Sequence, residues 1–413
     1  MLLALSVSVV HGQATVTGIT GPNFALTAKS GYISGGDGLS LHVWGYANGA
    51  GVMQYPGPTL IVNQGDIVTI TLTNEIMLPQ PVPVSIVFPG QSGVTAVGGT
   101  PGLMAQEAPP DGLTTVTYTF TASHPGTYMY HSGTRPDVQV EMGLFGALIV
   151  RPAGFNPLNP TAYGHPDSAY DHEYLFLFSE MDLEVHQLVE FGLMNQVDTT
   201  TFRPVYWFIN GRNGLDTILP DSVPWLMSQP YSSLPRMHPG ERMLCRTISA
   251  GRQSHPFHQH GNNVTVIARD GRMLESAPGA GADLSFSLYT LTPCPGETID
   301  AVFEWTGKGL GWDIYGHNPG DPLQPNEYAP DHGKPFPLIL PGQLEVSFGV
   351  AYSGSPFLGS LGDVPPGMGG FNLNGGYFYP WHSHHEKEIV NNDIFPGGLL
   401  TFVIIEPPGV PIP

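Results

Sequence analysis

The chain has 413 residues, 41% of them hydrophobic, which is enough for two medium-sized domains with apolar cores of their own. Its 14 basic and 34 acidic residues give a formal net charge of −20, which disfavours nucleic acid as a partner and attracts cations, including metal ions. The 53 glycines and 42 prolines punctuate apolar runs, and long stretches at helical spacing are absent. The composition therefore predicts an all-β protein.

The chain begins with a short apolar run at residues 1–10, and the more polar residues 11–14 (HGQA) follow it. We interpret residues 1–14 as the remnant of a secretory signal, so the protein is expected to be secreted, either extracellular or periplasmic. Later apolar stretches stay below about 18 uninterrupted residues, so no membrane span is expected.

The first half is predicted to contain short strands separated by Gly and Pro turns. Residues 67–72 (IVTITL) and 114–120 (TTVTYTF) carry apolar side chains at alternate positions, as strands with one buried face do. Residues 126–130 lead directly into His131, and an apolar run at 143–150 closes this half.

The second half repeats this order. Residues 174–178 (YLFLF) and 206–209 (YWFI) are its predicted early strands, and residues 298–305 (TIDAVFEW) alternate in the same way. A strand at 397–405 closes the chain. Short strands with such turns are typical of Greek-key β-sandwiches, and an order that occurs twice predicts two of them.

These patterns predict the division of the chain. After the secretory segment come a first sandwich at 15–152, a linker at 153–171 and a second sandwich at 172–413, with a long insertion at 307–341. A loop of that length usually covers another part of the protein or contacts a neighbour.

The histidines provide the strongest chemical signal. His255, His258 and His260 form an H-P-x-H-x-H run, and His382 and His384 form a second H-x-H run. Alternate residues of an extended segment project to the same side, so each run can direct two imidazoles at one site. Imidazole binds copper, zinc, iron and nickel, and the sequence therefore predicts a metal site.

Other candidate ligands are weaker. His317 and His332 lie on the long insertion and are expected to be exposed rather than metal-binding. Cys245 and Cys294 lie outside any C-x-x-C pair; in an oxidising compartment they could form one disulfide, and the alternative is two buried free thiols.

Taken together, these segments resemble the multicopper oxidase family. Residues 55–90 and 126–150 are similar to the family's first domain, and residues 209–211, 255–271 and 381–396 to its copper-bearing last domain. The middle domain of the three-domain enzymes has no counterpart. The resemblance thus implies two cupredoxin-like Greek-key β-sandwich domains, copper as the cofactor and an oxidoreductase function.

The family's ligand loops in the first domain are only partly matched. Its first loop, H-x-H-G, corresponds to residues 87–90, where Val87 and Pro89 replace both histidines. Its second loop, H-x-H, corresponds to residues 131–133, where His131 remains and Gly133 replaces the other ligand.

The loops of the last domain are better preserved. The third loop, H-x-x-H-x-H, is complete as residues 255–260, whereas the fourth, H-C-H-x-x-x-H, has Ser383 for the cysteine and Glu388 for the last histidine. The resemblance therefore implies that the blue copper site, which requires a thiolate, is absent.

A reduced pocket remains at the place of the family's oxygen-reducing cluster. It is predicted to bind copper, with zinc or another divalent metal as alternatives, and Glu386, Glu388 or water could complete the ligand shell. Its five expected metal ligands are His131, His258, His260, His382 and His384.

Two functions stay open at this point. One is a secreted copper-binding oxidoreductase that acts at the reduced site between the domains, on a small-molecule or metal substrate. The other is a structural or assembly protein, such as a surface-layer, filament or complex subunit, with a vestigial metal site. In two-domain relatives this site often forms between subunits of a ring-shaped trimer, so the resemblance implies a homo-oligomer.

Overall fold

The computed structural model of the protein describes residues 14–337 and 376–413. The predicted secretory segment up to residue 13 and the end of the insertion at 338–341 lie outside the described residues. Strands dominate the described chain, and this confirms the all-β prediction. None of its helices is both long and apolar enough to cross a membrane.

The described part of the first half forms eleven strands and one short helix, α1 (Pro136–Gln139). The strands are β1 (Ile19–Thr20), β2 (Asn23–Ser34), β3 (Ser40–Asn48), β4 (Gly57–Asn63), β5 (Ile67–Asn74), β6 (Thr95–Gly98), β7 (Thr100–Pro101), β8 (Gln106–Glu107), β9 (Val116–Thr121), β10 (Gly126–His131) and β11 (Phe145–Arg151).

The rest of the described chain forms twelve strands and a longer helix, α2 (Leu183–Glu190). The strands are β12 (His172–Met181), β13 (Tyr206–Ile209), β14 (Arg236–Met237), β15 (Arg242–Ser249), β16 (Phe257–Gln259), β17 (Val264–Arg269), β18 (Arg272–Met273), β19 (Phe286–Leu288), β20 (Thr290–Leu291), β21 (Thr298–Glu304), β22 (Tyr377–Ser383) and β23 (Leu400–Ile405).

Apart from the two-stranded sheet β7-β8, the described strands pair into two sets of two sheets. The first set has the orders β1-β4-β11-β10 and β3-β2-β5-β9-β6. In the second, β13-β12-β15-β21-β17-β18, with β19 beside β17, faces the sheet β14-β23-β22-β16-β20. One apolar cluster lies between the sheets of each set, because alternate side chains point inwards from both, as in a β-sandwich. The exact domain limits and the linker stay a prediction.

The hairpin formed by β2 and β3 was not anticipated from the sequence. Its residues pair in antiparallel register from Leu26–Asn48 to Ser34–Ser40. The turn contains Gly36 and Gly38 at φ of +74° and +95°, a region that glycine occupies without steric cost. Neither strand shows a clean apolar alternation, because a third apolar cluster covers part of their outer face.

That third cluster joins the two halves of the molecule. It contains Val43, Phe145 and Ile149 from the first set of sheets and Leu177 and Phe208 from the second. Contact between the halves is therefore apolar and continuous.

A buried ionic network lies beside this apolar contact. Glu173 on β12 accepts hydrogen bonds from Arg151 of β11 and, at 2.9 Å, from Nε of Arg246 on β15. Arg246 also donates to Thr127 of β10 at 2.9 Å, and the Thr127 hydroxyl donates to Asp300 of β21 at 2.6 Å. Burial would raise the pKa of Glu173, but the two guanidinium groups lower it to about 2. The network therefore fixes β10 and β11 against β12, β15 and β21.

The cysteines do not form a disulfide. Cys245 is buried on β15 and Cys294 is exposed, four residues before β21 begins. The possible disulfide is therefore not formed, and its alternative, two buried thiols, is wrong for Cys294, because the loop ahead of β21 leaves this residue exposed. Burial raises the pKa of the Cys245 thiol.

The buried network gives a first testable prediction. Replacing Arg246 by Met should lower the free energy of unfolding by about 3–5 kcal/mol, because Glu173 and Asp300 lose a buried cation. Arg135, whose ion pair with Asp137 is exposed, is the matched control, and Arg135→Met should cost at most about 1 kcal/mol. Urea denaturation checks both; similar losses in the two variants would contradict this account.

Candidate metal centre

The pairing of β16 with β22 brings the two histidine runs together. The strands are antiparallel, and His258 lies directly opposite His382, while Phe257 lies opposite Ser383. Side chains of β22 alternate, so that Tyr379, Trp381 and Ser383 are buried and His382 lies on the other face. The pleat therefore separates this strand pair into an outer face with histidines and an inner face in the core.

Four imidazoles meet on the outer face. The ring centroid of His258 lies 4.7 Å from that of His260, 5.8 Å from that of His382 and 4.9 Å from that of His384. His260 and His382 are 5.3 Å apart, and their Nε2 atoms are separated by 3.3 Å. We call these four residues the four-histidine group.

Hydrogen bonds orient two of these rings through Nδ1. Nδ1 of His258 lies 2.9 Å from the Thr290 hydroxyl, and Nδ1 of His382 lies 2.8 Å from the Ser383 carbonyl oxygen, to which it can only donate. Burial lowers the pKa of both histidines, and for His258 the neighbouring His384 and His382 lower it further. Both rings are therefore neutral at pH 7, and Nε2 of His382 carries a lone pair for a metal.

The inner face has the opposite chemistry. His255 is fully buried, with Nδ1 3.0 Å from Glu388 and Nε2 2.9 Å from Glu180 of β12. The Ser383 hydroxyl donates to the same Glu388 oxygen at 2.6 Å. We call His255 and its two carboxylate partners the buried His255 clasp. Burial would lower the pKa of His255, but the hydrogen bonds to Glu180 and Glu388 raise it to about 9.

The fifth predicted ligand, His131, lies elsewhere in the chain. It ends β10, pairs through its backbone with Val87, and its Nδ1 is 2.9 Å from the Ser132 carbonyl oxygen. It lines a cavity of about 240 Å³ with Glu141, Glu180 and Arg252. Among the described residues, the ring contacts of the four-histidine group are made with one another and with Tyr289, and not with His131. The structure thus brings four of the five predicted residues together within one chain.

The two glutamates expected near the histidines separate. Glu388 is buried against His255 and Ser383 and faces away from the four-histidine group. Glu386 is exposed, and its carboxylate lies 3.7 Å from Nδ1 of His384. Glu386 therefore lies beside the group, whereas Glu388 does not.

The expected exposure of the two insertion histidines is wrong. His317 and His332 are only about 15% exposed, because residues around them pack on the second sandwich through Trp312 and Ile314. Their Nδ1 atoms lie near the carboxylates of Asp313 and Glu327, and the four ligand atoms are all within 4.8 Å of one another.

Sequence reasoning also missed Glu180, Thr290, Asp313 and Glu327. Glu180 and Thr290 contact histidines that lie 75 and 32 residues away in sequence, so only the fold could identify them. Asp313 and Glu327 contact His317 and His332, which lie only four and five residues further along the chain. These short spacings within the insertion are the signal by which the sequence could have identified them.

Parts of the chain are similar in sequence to multicopper oxidases and to an ascorbate oxidase. Residues 32–154 match the sequence family described as multicopper oxidase. An L-ascorbate oxidase of Cucumis sativus is 32% identical over 165 residues, which cover 40% of this chain and 26% of that protein. An iron transport multicopper oxidase, fetC, of Epichloe festucae is 36% identical over 104 residues, covering 25% of this chain and 16% of that protein.

The resemblance to multicopper oxidases is confirmed. Among solved structures, the blue copper oxidase of Nitrosomonas europaea has a TM-score of 0.54 at 19% identity, over 93% of this chain and 85% of that one. Fet3p, a multicopper oxidase in iron import, has a TM-score of 0.52 at 18% identity, over 96% of this chain and 54% of that one. These likenesses show a cupredoxin-type fold. The stretch matched in the ascorbate oxidase spans about a quarter of that relative.

The buried His255 clasp gives a pH prediction for this multicopper oxidase-like chain. The pKa of His255 is about 9 when folded, against 6.5 ordinarily, so its contribution to stability is complete below pH 6.5 and is lost as the pH rises through 9. Glu388→Gln, which keeps the shape and removes one carboxylate, should reduce that loss.

The measurement is the free energy of unfolding from pH 6 to 10, in the native protein and in Glu388→Gln. The difference in unfolding free energy between the two proteins separates the effect of the clasp from that of other titrating groups. One such group is Glu141, because burial raises its pKa to about 8. Glu386→Gln is the control, since Glu386 is exposed two residues away. Equal pH slopes in all three proteins would refute the role of the clasp.

Proposed function

We propose that this protein is a copper-binding protein of the multicopper oxidase type, with an oxidoreductase function at the four-histidine group and without a blue copper centre. The observation that carries the proposal is the meeting of four imidazoles on the outer face of β16 and β22. Two separate H-x-H runs supply them, and the strand register places the runs side by side.

The geometry of the four-histidine group suits copper. Two nitrogens bound to one ion at about 2.0 Å in a tetrahedral arrangement lie about 3.3 Å apart. The Nε2 atoms of His260 and His382 are 3.3 Å apart. Imidazole is a ligand that suits copper, and a bound copper ion would supply a one-electron redox couple there.

The residues of the chain would then perform two tasks. His258, His260, His382 and His384 would hold the ion, while Thr290 and the Ser383 carbonyl keep two of the rings oriented through Nδ1. Such outer partners fix the ring tautomer and increase the basicity of the coordinating nitrogen.

The inner face does not suit a blue copper. The required set is two imidazoles and a thiolate, whereas Ser383 and Glu388 stand beside Nδ1 of His255. Both nitrogens of the His255 imidazole are held by carboxylates, so an ion-paired network occupies the place where the family binds its blue copper. We therefore propose electron entry by a route other than a blue copper.

Completion of the site is proposed to require a homo-oligomer, of which a trimer is one form. His131 lies outside the four-histidine group of its own chain, and its backbone pairs with Val87 where the family carries its first ligand loop. A second copy of the chain would bring its own His131 to the exposed face of the group. We also propose a secreted location, extracellular or periplasmic, on the basis of the apolar segment at residues 1–10.

Copper binding can be tested by metal analysis and equilibrium dialysis of the purified protein. We expect bound copper, and a loss of at least half of it in His258→Ala/His260→Ala. His165→Ala removes a partly exposed histidine outside the group and should keep native stoichiometry. Negligible copper in the native protein, or equal copper in all three proteins, would contradict the proposal and favour a structural or assembly protein.

The absence of a blue copper yields a gain-of-function prediction. Ser383→Cys/Glu388→His places a thiolate and a second imidazole beside Nδ1 of His255, which completes the His₂Cys set. We expect the copper-loaded double variant to show an intense thiolate-to-copper absorption that the native protein lacks. Ser383→Ala/Glu388→His, without the thiolate, is the control. A blue native protein would show that the interpretation of Ser383 is wrong.

A further inference from the structure

We infer that the insertion contains a second metal site, built by Asp313, His317, Glu327 and His332, for a divalent ion of the zinc type. This site is independent of the four-histidine group and of the function proposed for it. We call it the insertion site.

The spacing of its four ligand atoms matches a tetrahedral ion. The Oδ2 atom of Asp313 lies 3.2 Å from Nδ1 of His317 and 3.8 Å from Nδ1 of His332. The Oε1 atom of Glu327 lies 3.4 Å from the first of these nitrogens and 2.8 Å from the second. Ligands at about 2.0–2.1 Å around a tetrahedral zinc ion are about 3.3 Å apart, in the middle of this range.

The charge of the site calls for a cation. The side chains of Asp313 and Glu327 are only 1% and 2% exposed. Within residues 14–337 and 376–413, neither has a Lys or Arg partner, and their ion-pair partners are the two histidines. Two desolvated carboxylates side by side are costly unless a positive charge lies between them.

Hydrogen bonds already orient these side chains. Nε2 of His332 donates to the Asp321 carbonyl oxygen at 2.8 Å, which directs Nδ1 at the two carboxylates. A bond from the distal ring nitrogen to a backbone carbonyl is the usual second partner of a metal-bound histidine. The ring of Tyr315 stacks on His317 at 5.5 Å, with 6° between the planes.

Backbone donors hold the carboxylates in the same way. Asp313 accepts from the N–H groups of Tyr315 at 2.8 Å and Gly333 at 2.6 Å, and Glu327 accepts from Gln324 at 2.8 Å. Gly333 has φ of +66°, and a Cβ there would lie 2.5 Å from Cα of Pro319. The chain therefore approaches itself closely around the site, and only glycine fits at that position.

The ligand set indicates a structural role. All four ligands come from the protein, so no coordination position is left open for a substrate, as in structural zinc sites. Two nitrogens and two oxygens suit zinc rather than the softer copper(I). The ion would fasten the irregular segment 307–337, which contributes Trp312 and Ile314 to the core of the second sandwich.

A second cluster, His172, His238 and Glu241, does not carry the same inference. Its ligand atoms are equally close, but Nδ1 of His172 accepts the Ala14 N–H and its Nε2 therefore donates to Glu241. An imidazole that uses both nitrogens in this way has no lone pair left for a metal.

The test is calorimetric titration of the chelator-treated full chain with zinc, in the His258→Ala/His260→Ala background so that the four-histidine group does not compete. We expect one equivalent of zinc to bind. Adding Glu327→Gln, which keeps the shape and the acceptor for Gln324, should weaken binding at least 100-fold. Adding Asp331→Asn instead, on the same segment but outside the ligand set, should leave the affinity within about threefold.

Two further readouts exclude an effect of misfolding. Cobalt in place of zinc should give the strong visible absorption of a tetrahedral ion, absent in the Glu327→Gln protein, while both proteins keep the same near-ultraviolet circular dichroism. Zinc should also slow proteolytic cleavage within 307–337. Absence of zinc binding, or an affinity that Glu327→Gln leaves unchanged, would overturn the inference and indicate that protons on the histidines balance the two carboxylates.

Discussion

The interaction on which the candidate centre depends is the pairing of His255 with two carboxylates in the core of the second sandwich. The three groups come from β12, from the loop before β16 and from the turn after β22. Removing three charges from water is costly, and the cost is offset only when the hydrogen bonds are complete. His255 bonds through both nitrogens, and Glu388 is also bonded by Ser383 and His385. Movement of any of the three segments would expose an unpaired charge.

This constraint extends to the surface through chain geometry. His255 lies three residues before His258, and Ser383 lies between His382 and His384. Fixing His255 and Ser383 on the inner face therefore fixes the positions of both histidine runs. The pleat of the strands then turns the side chains of the four-histidine group outwards. The same strand pair thus holds neutral imidazoles outside, where burial lowers their pKa, and an imidazolium inside, where carboxylates raise it.

Much of this arrangement could be predicted from the sequence, because strands with one buried face have a visible period. The runs at 67–72 and 206–209 are strands, and the run at 298–305 is a strand as far as residue 304. The alternation of the histidines does place them on one face. The β2–β3 hairpin could not be predicted, since an apolar contact between the halves hides its period. Glu180 and Thr290 could not be predicted because their histidine partners are 75 and 32 residues away in sequence. The insertion cluster, whose members are close in sequence, was missed because the composition of a Gly/Pro-rich loop gives no sign that it packs.

The distribution of imidazoles between the two sandwiches bears on whether metal binding or assembly of the oligomer comes first. In the first sandwich the positions beside Val87 carry a single imidazole, that of His131. Burial lowers the pKa of this histidine. The second sandwich presents four, already oriented by their own strand register. Under the proposed function, metal affinity therefore resides mostly in one sandwich of each chain, and an imidazole from another copy adds one ligand to an ion already held. Metal binding would then precede assembly and favour it, because a ligand that binds the assembled form more tightly stabilises that form.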